Sequence, residues 1–324
     1  MIYRKRTTMN SKSRLLKKIP GLSPLSFGAW ALGGEYWGPQ SHHDSVRAIH
    51  RALAMNVNYF DTAPVYGKGR SEQLIGQQIK KFRSEIILGT KAFYTTPEKM
   101  KTSLETSLRR LLTDYIDIFY IHWPLSGVDM RPGMEMLESL RQEGKIRAIG
   151  VSNFTVDQMK LLEGAGSIDV YQGGYNLFWS ALEQKLLPYL SKRNIGFIPY
   201  GVLAQGILTE SGMDHLDRNH EGYRHKMILY REDIIERIRP WLQRLLEESS
   251  RTGIPLEQAV ALFTLNHLSA DTVLLGVRNR SQAERNFQMV KDGLPPSFSS
   301  LLQSIKTEAE GLFQGIPNLF NHKS

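Results

Sequence analysis

The sequence predicts an α/β fold, a closed (β/α)8 TIM barrel with a long loop and an extra helix after the seventh strand. From about Leu25 onward, eight short apolar runs alternate with longer stretches of helical period, the pattern of parallel strands joined by crossover helices. The runs recur at intervals of roughly 30 residues until the seventh, after which 76 residues intervene. No G-x-G-x-x-G occurs, so the Gly-rich first turn of an open doubly wound sheet is missing and the closed barrel is favoured.

In chain order, the predicted strands span residues 25–30, 58–63, 86–91, 116–123, 146–152, 170–175, 196–201 and 272–277. The clearest helix lies over 97–112, where Met100, Leu104, Leu108 and Leu111 recur at spacings of 4, 4 and 3, one face of a 3.6-residue period. Pro97 suits a first helical position, and Thr95 with Glu98 fits a capping box. A loop from 208 to about 230 and an extra helix over 234–250 fill the gap between strands seven and eight.

An apolar fraction of 41% suits a chain that buries a large core. The formal charge is +9, but Arg4, Lys5, Arg6, Lys12, Arg14, Lys17 and Lys18 crowd into the first 18 residues, where there is no acid; removing those seven leaves +2 on the rest. A basic, flexible segment over residues 1–20 is therefore expected ahead of one barrel domain over 21–324. The body is too balanced for a nucleic-acid surface. No run reaches the roughly 18 apolar residues of a membrane span, and no apolar signal segment opens the chain. A cytoplasmic protein, monomer or homo-oligomer, is expected, with no nucleic-acid or membrane partner. The absence of cysteine excludes disulfides, thiolate nucleophiles and Cys-based metal sites.

In a barrel the active site lies at the C-terminal ends of the strands. Strand two ends in Asp61-Thr62-Ala63 and runs on to Tyr66-Gly67, strand three ends in Gly89-Thr90-Lys91, and strand four ends in Ile121-His122-Trp123-Pro124. Three neighbouring strands thus bring an Asp, a Tyr, a Lys and a His to one rim. A phenol is a poor acid at neutral pH. A nearby ammonium lowers its pKa, and an aspartate keeps the ammonium charged and in place. Tyr66 would then protonate an alkoxide as it forms, while His122, neutral or protonated, orients the carbonyl oxygen. No side chain donates hydride, so a nicotinamide is the expected supplier. The paired Asp61 argues against Lys91 as a Schiff-base lysine. No metal is expected, because His42 and His43, or His215, His220 and His225, lack a carboxylate partner set and a workable spacing.

These motifs resemble those of the aldo-keto reductases over nearly the whole chain, from Leu25 to about Val290, with Gly150-Val151-Ser152-Asn153-Phe154 as a further match. Within that superfamily the chain is most similar to the bacterial stress-type reductases and the potassium-channel β-subunit branch. The resemblance implies that Asp61, Tyr66, Lys91 and His122 form a catalytic tetrad. It implies NADP(H) lying across the strand ends, with Trp30 and Asp61 also on the cofactor. Ser152, Asn153 and Gln172 would hold the nicotinamide carboxamide, and Tyr200 would stack on the ring. Gly201, Leu203, Gln205 and the loop residue Arg224 would follow the diphosphate. The family commonly reads Ser-Pro-Leu after the stacking aromatic, where this chain has Gly201-Val202-Leu203, which leaves only backbone contacts at the first position. Gly276, Arg278 and Gln282 would take the phosphate-ribose end and Asn286 the adenine, with Arg285 where relatives often carry Glu. An arginine fork suits a 2′-phosphate, which favours NADP over NAD.

Trp30, Trp37, Phe93, Tyr94 and Trp123 follow strands one, three and four and are expected to line an apolar substrate bowl. The expected function is reduction of aldehydes or ketones to alcohols. The alternative is a regulatory subunit of the same fold that binds NADPH with little turnover.

Overall fold

The computed structural model describes residues 13–34, 37–217, 227–290 and 292–313. Eight strands form one sheet: β1 (Leu25–Gly28), β2 (Tyr59–Asp61), β3 (Ile87–Ala92), β4 (Ile116–Ile121), β5 (Ile146–Ser152), β6 (Val170–Gly174), β7 (Gly196–Tyr200) and β8 (Val273–Gly276). Their order runs from β7 through β1 to β8, every hydrogen-bonded pair being parallel. The seam between β7 and β8 is closed by Asp271, whose N–H donates to the Phe197 carbonyl at 2.9 Å while its Oδ2 accepts from the Phe197 N–H at 2.8 Å. A side-chain carboxylate thus stands in for a backbone acceptor where the ladder would otherwise end.

The helices are α1 (Arg14–Lys18), α2 (His42–Ala54), α3 (Arg70–Ile79), α4 (Pro97–Leu111), α5 (Arg131–Gln142), α6 (Val156–Leu161), α7 (Leu182–Arg193), α8 (Gly212–Asp217), α9 (Glu232–Thr252), α10 (Leu256–His267), α11 (Arg280–Phe287) and α12 (Pro296–Ala309). The predicted barrel and extra helix are present, the latter as α9; of the predicted loop over 208–230, the described residues include the helix α8 and a 3-10 turn at Ile228–Tyr230, and residues 218–226 lie outside the described residues. Most strands are shorter than predicted. The apolar run after β1, for instance, winds at Trp30–Gly33 into a 3-10 turn. The cap of α4 is also corrected: Thr96, not Thr95, is extended and accepts from the Lys99 N–H, with Pro97 at the helix start as expected.

Strand period two sorts the interior from the shell. Tyr59, Ile87, Ile118, Tyr120, Ala148, Val170, Ile198 and Leu274 form the inner cluster, while Phe60, Leu88, Phe119, Ile149, Tyr171, Phe197 and Leu275 pack outward with the helices. Counting on from the inner residues of β2, β3 and β4 by twos reaches Asp61, Lys91 and His122. The barrel's alternation therefore aims the strand-end residues inward.

Of the segment expected to be a basic, flexible tail over 1–20, residues 13–20 are instead packed against the N-terminal end of the barrel. Leu15 of α1 is fully buried among the inner cluster with Ile19 and Leu22. Ser13 caps α1 and donates to Asp271 Oδ1 at 2.9 Å, and Lys18 pairs with Asp169 at 2.8 Å. Two leucines and an isoleucine three to four residues apart make an apolar stripe among the lysines, and the open barrel end needs such a plug. Residues 1–12 lie outside the described residues.

At the shell, Glu183 of α7 accepts from Tyr175 at 2.6 Å, and it pairs with His267 of α10 at 3.1 Å and with Lys306 of α12 at 3.0 Å. Burial works to raise its carboxyl, but hydrogen bonds from His267, Tyr175 and Lys306 outweigh it and hold the pKa at about 2, below the ordinary 4.5. A carboxyl depressed on folding contributes stability that is present above its unfolded pKa and lost as pH falls through the folded one. Between about pH 4.5 and 2 the wild type is therefore expected to lose melting temperature more steeply than Glu183→Gln; parallel melting curves across that window would remove the assignment.

Candidate active site

Asp61, at the end of β2, and Lys91, near the end of β3, are both 1% exposed or less and form a direct ion pair. The Lys91 ammonium also donates to the Thr62 carbonyl at 2.8 Å. The Asp61 carboxylate accepts from Gln172 Nε2 at 2.9 Å and from the Tyr59 hydroxyl at 3.0 Å. A buried pair persists only when further hydrogen bonds support it, and these contacts hold both Asp61 oxygens and two of the three Lys91 N–H groups. Burial lowers the Lys91 pKa, against the opposing pull of Asp61.

Tyr66 reaches the same point from the loop after β2. Its half-buried ring centre lies 5.2 Å from Lys91 Nζ and 6.1 Å from the His122 ring. The loop is held there by a close backbone approach: a Cβ on Gly33 would meet the Gly67 N at 2.6 Å, and Gly67 itself adopts φ +62. Only glycine suits both positions. The turn carrying Trp30 is tied down by the Ala29 N–H on the Asp61 carbonyl at 2.9 Å and by Ser71 Oγ on the Ala29 carbonyl at 3.1 Å. Trp30 then stacks on Tyr66 at 6.2 Å and meets Trp37 edge-on at 5.1 Å.

The electrostatics correct one expectation and resolve another. Desolvation, then the Asp61 charge, push the Tyr66 phenol well above its ordinary 10; the ammonium expected to lower it is neutralised by Asp61. Tyr66 therefore keeps its proton at rest. His122 is 9% exposed, and burial, then the Lys91 charge, hold it well below 6.5. It is the neutral imidazole of the two forms left open by its residue type.

A cavity of about 740 Å3 runs along the C-terminal strand ends and is lined by Trp30, Trp37, Tyr66, Phe93, His122 and Trp123 at one end. Asp61, Ser152, Asn153, Gln172, Tyr200, Gly201, Leu203, Gln205, Gly276, Arg278, Gln282 and Asn286 line the remainder. Every predicted cofactor residue thus lies on it except Arg224, which is outside the described residues. Tyr94 is a correction. It is 5% exposed, its ring packs on Gly133 and its hydroxyl reaches the Asp129 carbonyl. Phe93, 48% exposed and stacked on His122 at 4.9 Å, takes the cavity side instead. Adjacent residues leaving a strand point to opposite sides, so only one of the two can face the bowl.

The polar half of the cavity is pre-arranged. Tyr200 donates to Asn153 Oδ1 at 2.6 Å, and Asn153, at φ +66, donates to Ser152 Oγ at 3.0 Å and to the His122 carbonyl at 3.2 Å. Arg278 donates to Gln40 Oε1 at 2.9 Å and to the Pro39 carbonyl at 2.7 Å, while Gln40 Nε2 donates back to the Arg278 carbonyl at 2.6 Å. Gln282 Oε1 accepts from the Arg278 N–H at 2.8 Å, and Asn286 donates to the Gly276 carbonyl at 3.1 Å. Arg285 pairs with Glu257, 1% exposed, at 3.1 Å. Both side-chain amide atoms of Gln205 are buried without a partner among the described residues. Sequence reasoning missed Tyr59, Tyr120, Gln40 and Glu257. The first two carried a signal, since each precedes a predicted site residue by two positions on its strand; the others came from distant loops and helices.

No helix among the described residues is long and apolar enough to cross a membrane, and no group of three or more His, Asp or Glu there could hold a metal ion. Fold and rim cluster together define a (β/α)8-barrel enzyme of the oxidoreductase class. The chain belongs to the aldo/keto reductase family, whose model matches residues 24–306. It is 37% identical to the aldo-keto reductase YhdN of Bacillus subtilis over 199 residues, a match spanning 58% of this chain and 60% of that protein, less than two thirds of its length. It is 27% identical to the NADH-specific methylglyoxal reductase of Escherichia coli over 330 residues, 91% of this chain and all of that one. Among solved structures, a glycerol dehydrogenase of Gluconobacter oxydans superposes with a TM-score of 0.76 at 28% identity, covering 93% of this chain and 95% of that chain.

Proposed function

We propose that the protein is an NADPH-dependent reductase of aldehydes and ketones, with Tyr66 as the proton donor. The observation that carries this reading is the buried Asp61–Lys91 pair beneath Tyr66 and His122 at the wall of a large cavity. The residues present fit a dinucleotide. The cavity, of about 740 Å3, is larger than a small carbonyl compound needs, and polar side chains including Ser152, Asn153, Gln172, Arg278 and Asn286 line it. Ser152, Asn153, Gln172 and Tyr200 would hold the nicotinamide end, and Gly201, Leu203, Gln205, Gly276, Arg278, Gln282 and Asn286 the remainder. A reduced nicotinamide supplies the hydride that no side chain can.

The chain's own residues handle the proton and the orientation. Neutral His122, one ring face covered by Phe93, donates a hydrogen bond from its ring edge to the carbonyl oxygen. Tyr66 gives its proton to the oxygen as negative charge develops there, and Lys91, with one N–H left after Asp61 and Thr62, stabilises the phenolate that results. Asp61 keeps Lys91 charged throughout. Trp30, Trp37, Phe93 and Trp123 exclude water and present apolar surface, which suits carbonyl compounds with apolar or aromatic bodies.

The reading is tested by following NADPH consumption with a panel of such aldehydes in wild type and Tyr66→Phe. Tight NADPH binding without turnover in the wild type would point to the regulatory alternative. The preference for NADPH over NADH has its own test, because the similar Escherichia coli enzyme is described as NADH-specific. Gln40, Gly38 and Pro39 hold Arg278 at the cavity wall, and a charge-assisted bond to a phosphate is worth roughly tenfold or more in affinity. Arg278→Gln is expected to raise KM for NADPH by about that factor and leave KM for NADH nearly unchanged; equal effects on both would remove Arg278 from 2′-phosphate recognition.

A further inference from the structure

Two phenols lie directly below the Asp61 carboxylate, where neither can reach a substrate. Tyr59 of β2 and Tyr120 of β4 are both fully buried in the barrel. The Tyr59 hydroxyl donates to Asp61 Oδ2 at 3.0 Å and lies 3.0 Å from the Tyr120 hydroxyl. Since Tyr59 spends its one proton on Asp61, Tyr120 must be the donor to Tyr59. Desolvation, reinforced by the Asp61 charge, holds both phenols well above 10, so both stay protonated.

The strands are cut back to admit these rings. A Cβ on Gly89 of β3 would come 2.4 Å from the Tyr59 hydroxyl, and one on Gly150 of β5 would come 2.3 Å from the Tyr120 ring. Phenylalanine would fill the same space without the cost of burying a hydroxyl. The hydroxyls therefore call for a reason beyond packing, and the contact on Oδ2 provides it.

We propose that Tyr59 and Tyr120 are positioning residues for the reductase site: Tyr120 aims the Tyr59 hydroxyl, and Tyr59 holds Oδ2 of Asp61 so that Oδ1 stays on Lys91. Gln172 Nε2 shares Oδ2 from the β6 side at 2.9 Å. The inference rests on the proposed reductase reading and extends it to residues that touch neither cofactor nor substrate. The other charged and titratable groups around the carboxylate are Lys91 with Glu72 behind it, Tyr66, Tyr120 and His122, and Asp271 acts on Tyr120 from below.

The experiment compares wild type, Tyr59→Phe, Tyr120→Phe and the double variant by NADPH oxidation with a small aromatic aldehyde across the pH range. Tyr59→Phe is expected to lose kcat by roughly 10- to 100-fold and to keep its KM for NADPH, a split that a merely structural role would not produce. Tyr120→Phe should lose less, and the double variant should be no worse than Tyr59→Phe, because the two hydroxyls act in series. An unchanged kcat in Tyr59→Phe overturns the inference, as do a KM for NADPH that rises as kcat falls and losses that simply add. Should Tyr59→Phe fail to fold, Tyr120→Phe must show a lowered kcat at unchanged KM for NADPH, and its absence there has the same force. Wild-type turnover that is lost in Tyr66→Phe yet kept in Tyr59→Phe sinks this inference alone; a wild type that reduces no carbonyl removes both.

Discussion

Tyr66→Phe is expected to lower kcat by about 10² to 10⁴, the usual cost of losing a general acid, while NADPH binding stays as in the wild type. The ring is retained, so its stack on Trp30 and its place over Lys91 persist. Only the transferable proton goes. Because the folded site holds that proton well above pH 10, the wild-type reduction rate should show no loss from Tyr66 ionisation across the neutral and mildly alkaline range. Stopped-flow or steady-state NADPH absorbance reads both effects. A Tyr66→Phe enzyme within tenfold of the wild type on a log-linear rate scale would remove Tyr66 as the proton donor.

The second large effect concerns stability as well as rate. Lys91→Met leaves Asp61, 1% exposed, without its cation. An uncompensated buried charge typically costs about 3–5 kcal/mol, here offset in part by the Tyr59 and Gln172 donors that remain. The double variant Asp61→Asn with Lys91→Met removes both charges and should recover most of that loss in urea unfolding. Neither variant should turn over at a useful rate, since the phenolate formed at Tyr66 would lack its ammonium. If the single and double variants unfold at the same urea concentration, the pair is not the electrostatic unit described. If Lys91→Met keeps its kcat, Lys91 has no part in the proton step.

Much of this was legible in the residues. The alternation of apolar runs and helical stretches is a local pattern, and eight repeats of it leave a closed barrel as the simple solution. The rim motifs were equally local: Asp61 and Tyr66 sit five positions apart, and Lys91 and His122 each end or follow a strand. Because side chains alternate along a strand, placing a strand also determines which residues share its inner face. The same rule, carried two residues back, would have found Tyr59 and Tyr120.

What the tertiary structure alone decided are matters of closure, choice and charge. The plug made by Leu15 and Ile19 shows as a basic stretch in sequence, because its apolar partners lie on strands far along the chain. Phe93 and Tyr94 are indistinguishable as candidate pocket aromatics until the turn after β3 sends one to His122 and the other under α5. The Gln40–Arg278 clasp and the Glu257–Arg285 pair join segments separated by 238 and 28 positions, beyond any local pattern. Protonation is the most collective of these properties. Tyr66, Lys91 and His122 were identified by type, but a pKa depends on burial and on every neighbouring charge at once, and that sum turned the expected acidified phenol into one held well above its ordinary pKa.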